Sequence, residues 1–326
     1  MLYAHMPRPP GEEPWSQLLD RLDGNVSMSS GTQWPQQTID VLVEGRPSAE
    51  QITACGTLQA LVIPYAGVPK ETRHLLLSVK PDLAVYNLHH NAAAAAELAV
   101  ALLLAAAKTL IPVDRRLRSG DWRSRYDGAP LMLLADKTAV ILGFGAIGSR
   151  LAAMCRAFNM HVHGVRRDVE PLESDSVWLH RLDELPALLP KADVLFIALP
   201  LTPETEGLIG EEEIGLLKAS SVLVNIARGA IVNEESLYLA LREGRIAAAG
   251  IDVWYNYPST AESRANTSPS QFPFHELDNV VMSPHRGGAF QLEELEQRRM
   301  ADLAQTLNAI ARGEAVPHRV DLHAGY

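Results

Sequence analysis

Short, nearly unbroken apolar runs at residues 2–5, 39–43, 58–63 and 83–86 predict strands buried on both faces, each followed by turn-forming residues. Residues 14–22 carry the three-to-four spacing of an amphipathic helix. A second series of strands starts at 138–142 and continues at 161–165, 194–198, 222–225, 247–251 and 280–282. Residues 92–108 predict a long Ala- and Leu-rich helix with Asn91 as its N-cap, 146–158 a second helix, and 291–312 a closing one charged on one side. The polar, Pro-containing stretch 259–274 predicts an irregular loop. Strands alternating with helices place the chain in the α/β class, with parallel sheets joined by right-handed crossovers.

A length of 326 residues suits two domains, and 47% hydrophobic with 21% charged residues suits a packed core. The net charge of −10 speaks against a nucleic-acid partner and against an anionic membrane surface. The apolar run 92–107 is short for a bilayer span and is interrupted by Glu97. Two cysteines, Cys55 and Cys155, form no disulfide framework or metal-ligand spacing, so we expect no metal and two small buried thiols. With no signal-peptide pattern at the start, the cytoplasm is the expected location.

Gly143-Phe144-Gly145-Ala146-Ile147-Gly148 follows an apolar strand and opens a helix. Glycines also mark ordinary βα turns, but strand, spacing and helix together match a dinucleotide fingerprint. Gly143 permits the turn, Gly145 lets backbone approach a pyrophosphate, Gly148 lets helix and strand pack, and Ala146 and Ile147 begin the helix that faces the phosphates. After the next strand, Arg166 and Arg167 stand where NAD sites place a carboxylate. They suit the 2′-phosphate of NADP, the preferred cofactor over NAD; the alternative leaves them solvated and gives the ribose to Asp168. Arg228 and His285 each follow a strand's carboxyl end, where a guanidinium holds a carboxylate and an imidazole exchanges a proton near neutral pH.

In segments 141–148, 199–205, 225–229, 250–254 and 283–285 the sequence resembles the D-isomer-specific 2-hydroxyacid dehydrogenase family, which includes glyoxylate/hydroxypyruvate reductases and phosphoglycerate dehydrogenases. The resemblance implies two doubly wound parallel-sheet domains: a flavodoxin-like substrate domain from 1–91 and 288–326, and a Rossmann nucleotide domain at 92–287. It implies a homodimer, and hydride exchange between a small 2-keto acid and its D-2-hydroxy acid. It makes Arg228 the substrate anchor, His285 the acid/base, and the backbone of Tyr65, Ala66 and Gly67 the carboxylate loop. Leu199, Pro200, Thr205, Ile226, Ala227, Asp252 and His285 would border the cofactor, Asp252 beside the nicotinamide.

One departure stands out. The family pattern Asp-Val-Phe-x-x-Glu-Pro reads here Asp252-Val253-Trp254-Tyr255-Asn256-Tyr257-Pro258, so Tyr257 replaces the glutamate that orients the histidine and raises its pKa. A neutral phenol orients the ring by a hydrogen bond without stabilising imidazolium, so a lowered His285 pKa is expected. A working dehydrogenase with a retuned histidine is preferred. A formate-dehydrogenase-like reaction needing little proton transfer, and a nucleotide-sensing protein with weakened catalysis, are the alternatives. His89, His90 and Asn91 either add polar contacts near the site or serve capping and surface roles.

Overall fold

The strand Val41–Val43 shows why the apolar runs are unbroken: all three residues are buried, because both faces of its sheet are covered. Val41 and Val43 join Met300, Leu303 and Leu307 of the helix Glu293–Arg312, while Leu42 joins Ile52 and Leu76 in a separate cluster. Successive residues of a strand point to opposite faces, so two covered faces demand apolar side chains at every position.

The computed structural model describes residues 1–35, 38–54, 56–128, 131–167, 177–288 and 292–325. The chain divides into two units, Met1–Asn91 with Ala289–Tyr326, and Ala92–Gly288. The first unit contains β1 (Leu2–Met6), β2 (Val26–Ser30), β3 (Val41–Val43), β4 (Ala60–Ile63) and β5 (Ala84–Asn87), all parallel, in the order β2-β1-β3-β4-β5. The second contains β6 (Thr138–Leu142), β7 (His161–Val165), β8 (Val177–His180), β9 (Val194–Ile197), β10 (Val222–Asn225), β11 (Ala248–Ile251) and β12 (Val280–Met282). They form one parallel sheet in the order β12-β11-β10-β9-β6-β7-β8. The strand order reverses between β6 and β9, the place where doubly wound sheets open a crevice at the strands' carboxyl ends.

In the second unit Ala139, Ile141, Val194 and Phe196 form one core with the helices Ala92–Ala107 and Ala146–Ala157. Val140, Leu142, Leu195 and Ile197 form another with Leu237 and Leu241 of the helix Glu234–Arg242. The alanines of Ala92–Ala107 let this helix lie close to the sheet: a Cβ on Gly250 of β11 would fall 2.8 Å from Leu102 Cβ. Among the described residues no single helix is long and apolar enough to cross a membrane.

Two strands lie outside the predicted runs. β2 (Val-Ser-Met-Ser-Ser) and β8 (Val-Trp-Leu-His) are the outermost strands of their sheets, with little apolar signal to read. The region 259–274 is irregular apart from short 3₁₀ turns at Glu262–Ala265 and Phe274–Glu276. The expected cap by Asn91 is not made: its Oδ1 is buried without a hydrogen-bond partner among the described residues. His89 is absorbed by the first unit, with its N–H donated to Asp302, its Nε2 bonded to Asn87 and its ring stacked on His318 at 4.0 Å. Cys155 is buried, which pushes its thiol up to about 12, while Cys55 lies outside the described residues.

Candidate active site

Every candidate residue of the second unit follows the carboxyl end of a strand in its sheet. Gly143, directly after β6, has φ +95°, and a Cβ there would stand 2.6 Å from the backbone of Ala198 and Leu199. A Cβ on Gly148 would stand 2.1 Å from the Gly143 carbonyl oxygen. Both glycines are required by packing. Gly145 differs. It is the N-cap of Ala146–Ala157, a Cβ on it would meet nothing within 4 Å, and no side chain caps the helix. The first-turn N–H groups of Ala146, Ile147 and Gly148 therefore border open volume at the positive end of a helix dipole, an arrangement that fits a dinucleotide pyrophosphate.

Arg166 and Arg167 follow β7 and are exposed, with the Arg166 N–H donated to the His180 carbonyl. Asp168, the alternative ribose partner, lies outside the described residues. After β9, Thr205 donates from Oγ1 to the Pro200 carbonyl at 2.7 Å and accepts the Thr202 N–H, which closes the 200–205 loop on itself. Leu199 is buried in the core beside this loop.

The polar machinery lies beyond β10, β11 and β12, which are adjacent. Asn225 shapes the first turn: its Oδ1 accepts the Ala227 N–H, and its Nδ2 donates to the Arg228 carbonyl. Ile226 and Ala227 are thereby held as buried backbone, and Arg228 is exposed with Nη1 donating to the Ala227 carbonyl at 2.6 Å. Gly229 must be glycine, since a Cβ would lie 2.5 Å from the Trp254 carbonyl oxygen.

Asp252, after β11, is 1% exposed and spends its carboxylate on the turn after β12. Oδ1 accepts from Ser283 Oγ and the Arg286 N–H, and Oδ2 accepts the Gly287 N–H at 2.8 Å. This carboxylate clamps the segment that carries His285. His285 needs the clamp, because its φ of 56° lies in the left-handed region that residues with side chains rarely occupy.

His285 Nδ1 lies 2.9 Å from the Tyr257 hydroxyl, which also accepts the Trp254 N–H at 3.0 Å. With one lone pair taken, the hydroxyl donates its proton to Nδ1 of a neutral ring protonated at Nε2, or accepts from Nδ1–H of the other neutral tautomer or of the charged ring. Nε2, across the ring, is left for other work. Burial, then the positive charge of Arg228, lower the His285 pKa below its ordinary 6.5, and Asp252 opposes them. The direction matches the expectation, and its causes are burial and a neighbouring cation. Burial raises the Tyr257 pKa, so the phenol stays neutral across the physiological range. Arg228 acts on both groups, which places its guanidinium within electrostatic reach of the imidazole. A guanidinium and an imidazole thus stand beyond β10 and β12, the strands on either side of β11, in the unit that carries the glycine turn.

Tyr65, Ala66 and Gly67 follow β4 in the first unit. Gly67 has φ +82°, and the Tyr65 phenol occupies the space that a Gly45 side chain would need, 2.1 Å from its Cβ position. The substrate role of this loop rests on the resemblance alone. Asn225, Gly229, Ser283 and Trp254 were not singled out from sequence. All four sit inside the quoted signatures, but the contacts of Gly229, Ser283 and Trp254 join segments far apart in the chain.

The family description "D-isomer specific 2-hydroxyacid dehydrogenase, NAD binding domain" matches residues 100–287. A glyoxylate reductase of Aeropyrum pernix is 40% identical over 235 residues, covering 70% of this chain and 66% of that protein. A D-3-phosphoglycerate dehydrogenase of Methanocaldococcus jannaschii is 31% identical over 263 residues, covering 80% of this chain and 47% of its own length. The chain thus spans about half to two thirds of these relatives. The crystal structure of a D-isomer specific 2-hydroxyacid dehydrogenase from Xanthobacter autotrophicus Py2 in complex with NADPH and MES superposes with a TM-score of 0.81, at 23% identity over 99% of both chains.

Proposed function

The chain belongs to the D-isomer specific 2-hydroxyacid dehydrogenase family, and on that premise we propose that it interconverts a small 2-keto acid and its D-2-hydroxy acid, with NADP preferred over NAD. The observation that carries the proposal is the joint placement of Arg228 and His285 beyond β10 and β12, on either side of the β11 end that supplies Asp252 and Trp254.

A nicotinamide dinucleotide, when bound, supplies or takes the hydride. The helix start at 146–148 would hold its phosphates, and Arg166 and Arg167 would pair with a 2′-phosphate. Arg228 holds the substrate carboxylate and draws electron density toward the C2 oxygen. His285, tied through Nδ1 to Tyr257, exchanges a proton with that oxygen from Nε2. In reduction the ring gives the proton and must enter as imidazolium; in oxidation it takes the proton and must enter neutral. The carboxylate role of Tyr65, Ala66 and Gly67 belongs to the same reading. The phenol in place of a carboxylate favours one second reading, a nucleotide-responsive protein without turnover.

A second copy of the chain is the proposed partner. The helix Leu110–Arg118 has no buried residue and exposes Leu110, Ile111 and Leu117, with Trp122 and Tyr126 exposed just beyond it. That much apolar surface on one segment suits a self-complementary interface.

The test is NADPH and NADH oxidation with glyoxylate, hydroxypyruvate, pyruvate and phenylpyruvate. Turnover of any of them supports the dehydrogenase reading, and tight cofactor binding without turnover supports the second.

A further inference from the structure

The strained backbone at His285 raises the question of what fixes the imidazole, and the answer converges on one residue. The indole Nε1–H of Trp254 donates to the Ser283 carbonyl at 2.8 Å, two residues before His285. The Trp254 backbone N–H donates to the Tyr257 hydroxyl, the group that meets His285 Nδ1. The Trp254 carbonyl is the surface on which Gly229 rests, next to Arg228. The indole is 6% exposed and lies edge-on to Phe274 at 5.9 Å, so its own orientation is set by core packing.

We propose that Trp254 is a positioning residue: through its indole N–H and its backbone N–H it sets the imidazole of His285 and the phenol of Tyr257 together. Asp252 pins the far side of the turn through the Arg286 and Gly287 N–H groups, and it holds Ser283 Oγ. Trp254 grips the near side through the Ser283 carbonyl, leaving His285 suspended between two anchors. A phenylalanine at 254 would keep most of the packing and remove the indole donor. The family pattern carries phenylalanine there and glutamate where Tyr257 stands. Here an added donor on the His285 turn therefore accompanies the loss of the charged partner.

The inference rests on the proposed dehydrogenase reading, and the test separates the two. Trp254→Phe should lower kcat for keto-acid reduction about tenfold, the size of one lost hydrogen bond, with KM for the keto acid and Kd for NADPH within twofold of the parent. Leu188→Val, a core change elsewhere in the same unit, should leave kcat unchanged and so control for general destabilisation. Trp254→Phe combined with Tyr257→Phe should lose less than the product of the single losses, because both act through one ring. An unchanged kcat, a parallel rise in KM and Kd, or fully multiplicative losses would overturn the proposal. If the parent protein turns over no keto acid, the dehydrogenase reading fails and the positioning role is read directly by NMR. The His285 ring signals should be sharp in the parent and exchange-broadened in Trp254→Phe, and equally sharp signals would contradict it.

Discussion

The Tyr257 hydroxyl stands 2.9 Å from Nδ1 of His285 and accepts the Trp254 N–H on its other side. A phenol held this way orients the ring in both protonation states and stabilises neither by charge. The substitution therefore separates two jobs that one carboxylate would perform together, aiming the ring and raising its proton affinity.

Putting a carboxylate back should move the pH profile. An anion beside Nδ1 favours imidazolium, so Tyr257→Glu should raise the His285 pKa and carry keto-acid reduction to higher pH. Tyr257→Phe should lower kcat severalfold and leave the midpoint within a few tenths of a pH unit. Profiles of kcat/KM for the three proteins check this; a Tyr257→Glu midpoint at or below that of the parent would refute it.

Arg166 and Arg167 should read the 2′-phosphate. Replacing both with alanine should raise KM for NADPH roughly 10- to 100-fold, the loss of one to two charge-assisted contacts, and change KM for NADH little. Equal effects on both cofactors would mean that these side chains do not distinguish them.

Gly143→Ala should destabilise the nucleotide unit by roughly 2–5 kcal/mol, from left-handed strain plus overlap with the Ala198–Leu199 backbone. Gly145→Ala meets nothing within 4 Å in the protein and should leave stability nearly intact while weakening NADPH binding. Urea denaturation and cofactor titration separate the two outcomes.

His90 should make the first unit acid-sensitive. Burial, then the charges of Arg299 and His89, lower its pKa from 6.5 to about 4, and its Nδ1 is buried without a hydrogen-bond partner among the described residues. The unfolded chain therefore takes up a proton that the folded site refuses. Stability should decline as pH falls from 6.5 to 4 and level off below that. In His90→Gln the decline should be shallower, as measured by denaturant midpoints across this range.

Much of this fold was readable because parallel strands covered on both faces leave continuous apolar runs, as at Val140, Ile141 and Leu142. The edge strands β2 and β8 were not, since one neighbour and a partly exposed surface leave little pattern. Gly143, Arg228 and His285 were legible because local motifs carry them. The work of Asp252 and Trp254 was hidden, because it consists of hydrogen bonds to Ser283, Arg286 and Gly287, some thirty residues away. Asn91 reads as a cap by position, yet its oxygen is buried and unpaired among the described residues.

The most direct test is the pH dependence of kcat/KM for NADPH-dependent glyoxylate reduction, in the parent and in His285→Ala. If His285 donates the proton, the parent should lose activity tenfold per pH unit above a midpoint below 6.5, the side to which burial and Arg228 push the ring. His285→Ala should lose 10²- to 10⁴-fold in kcat together with that break, and keep its affinity for NADPH. A parent profile flat from pH 5 to 8, or a break that persists in His285→Ala, would contradict the account.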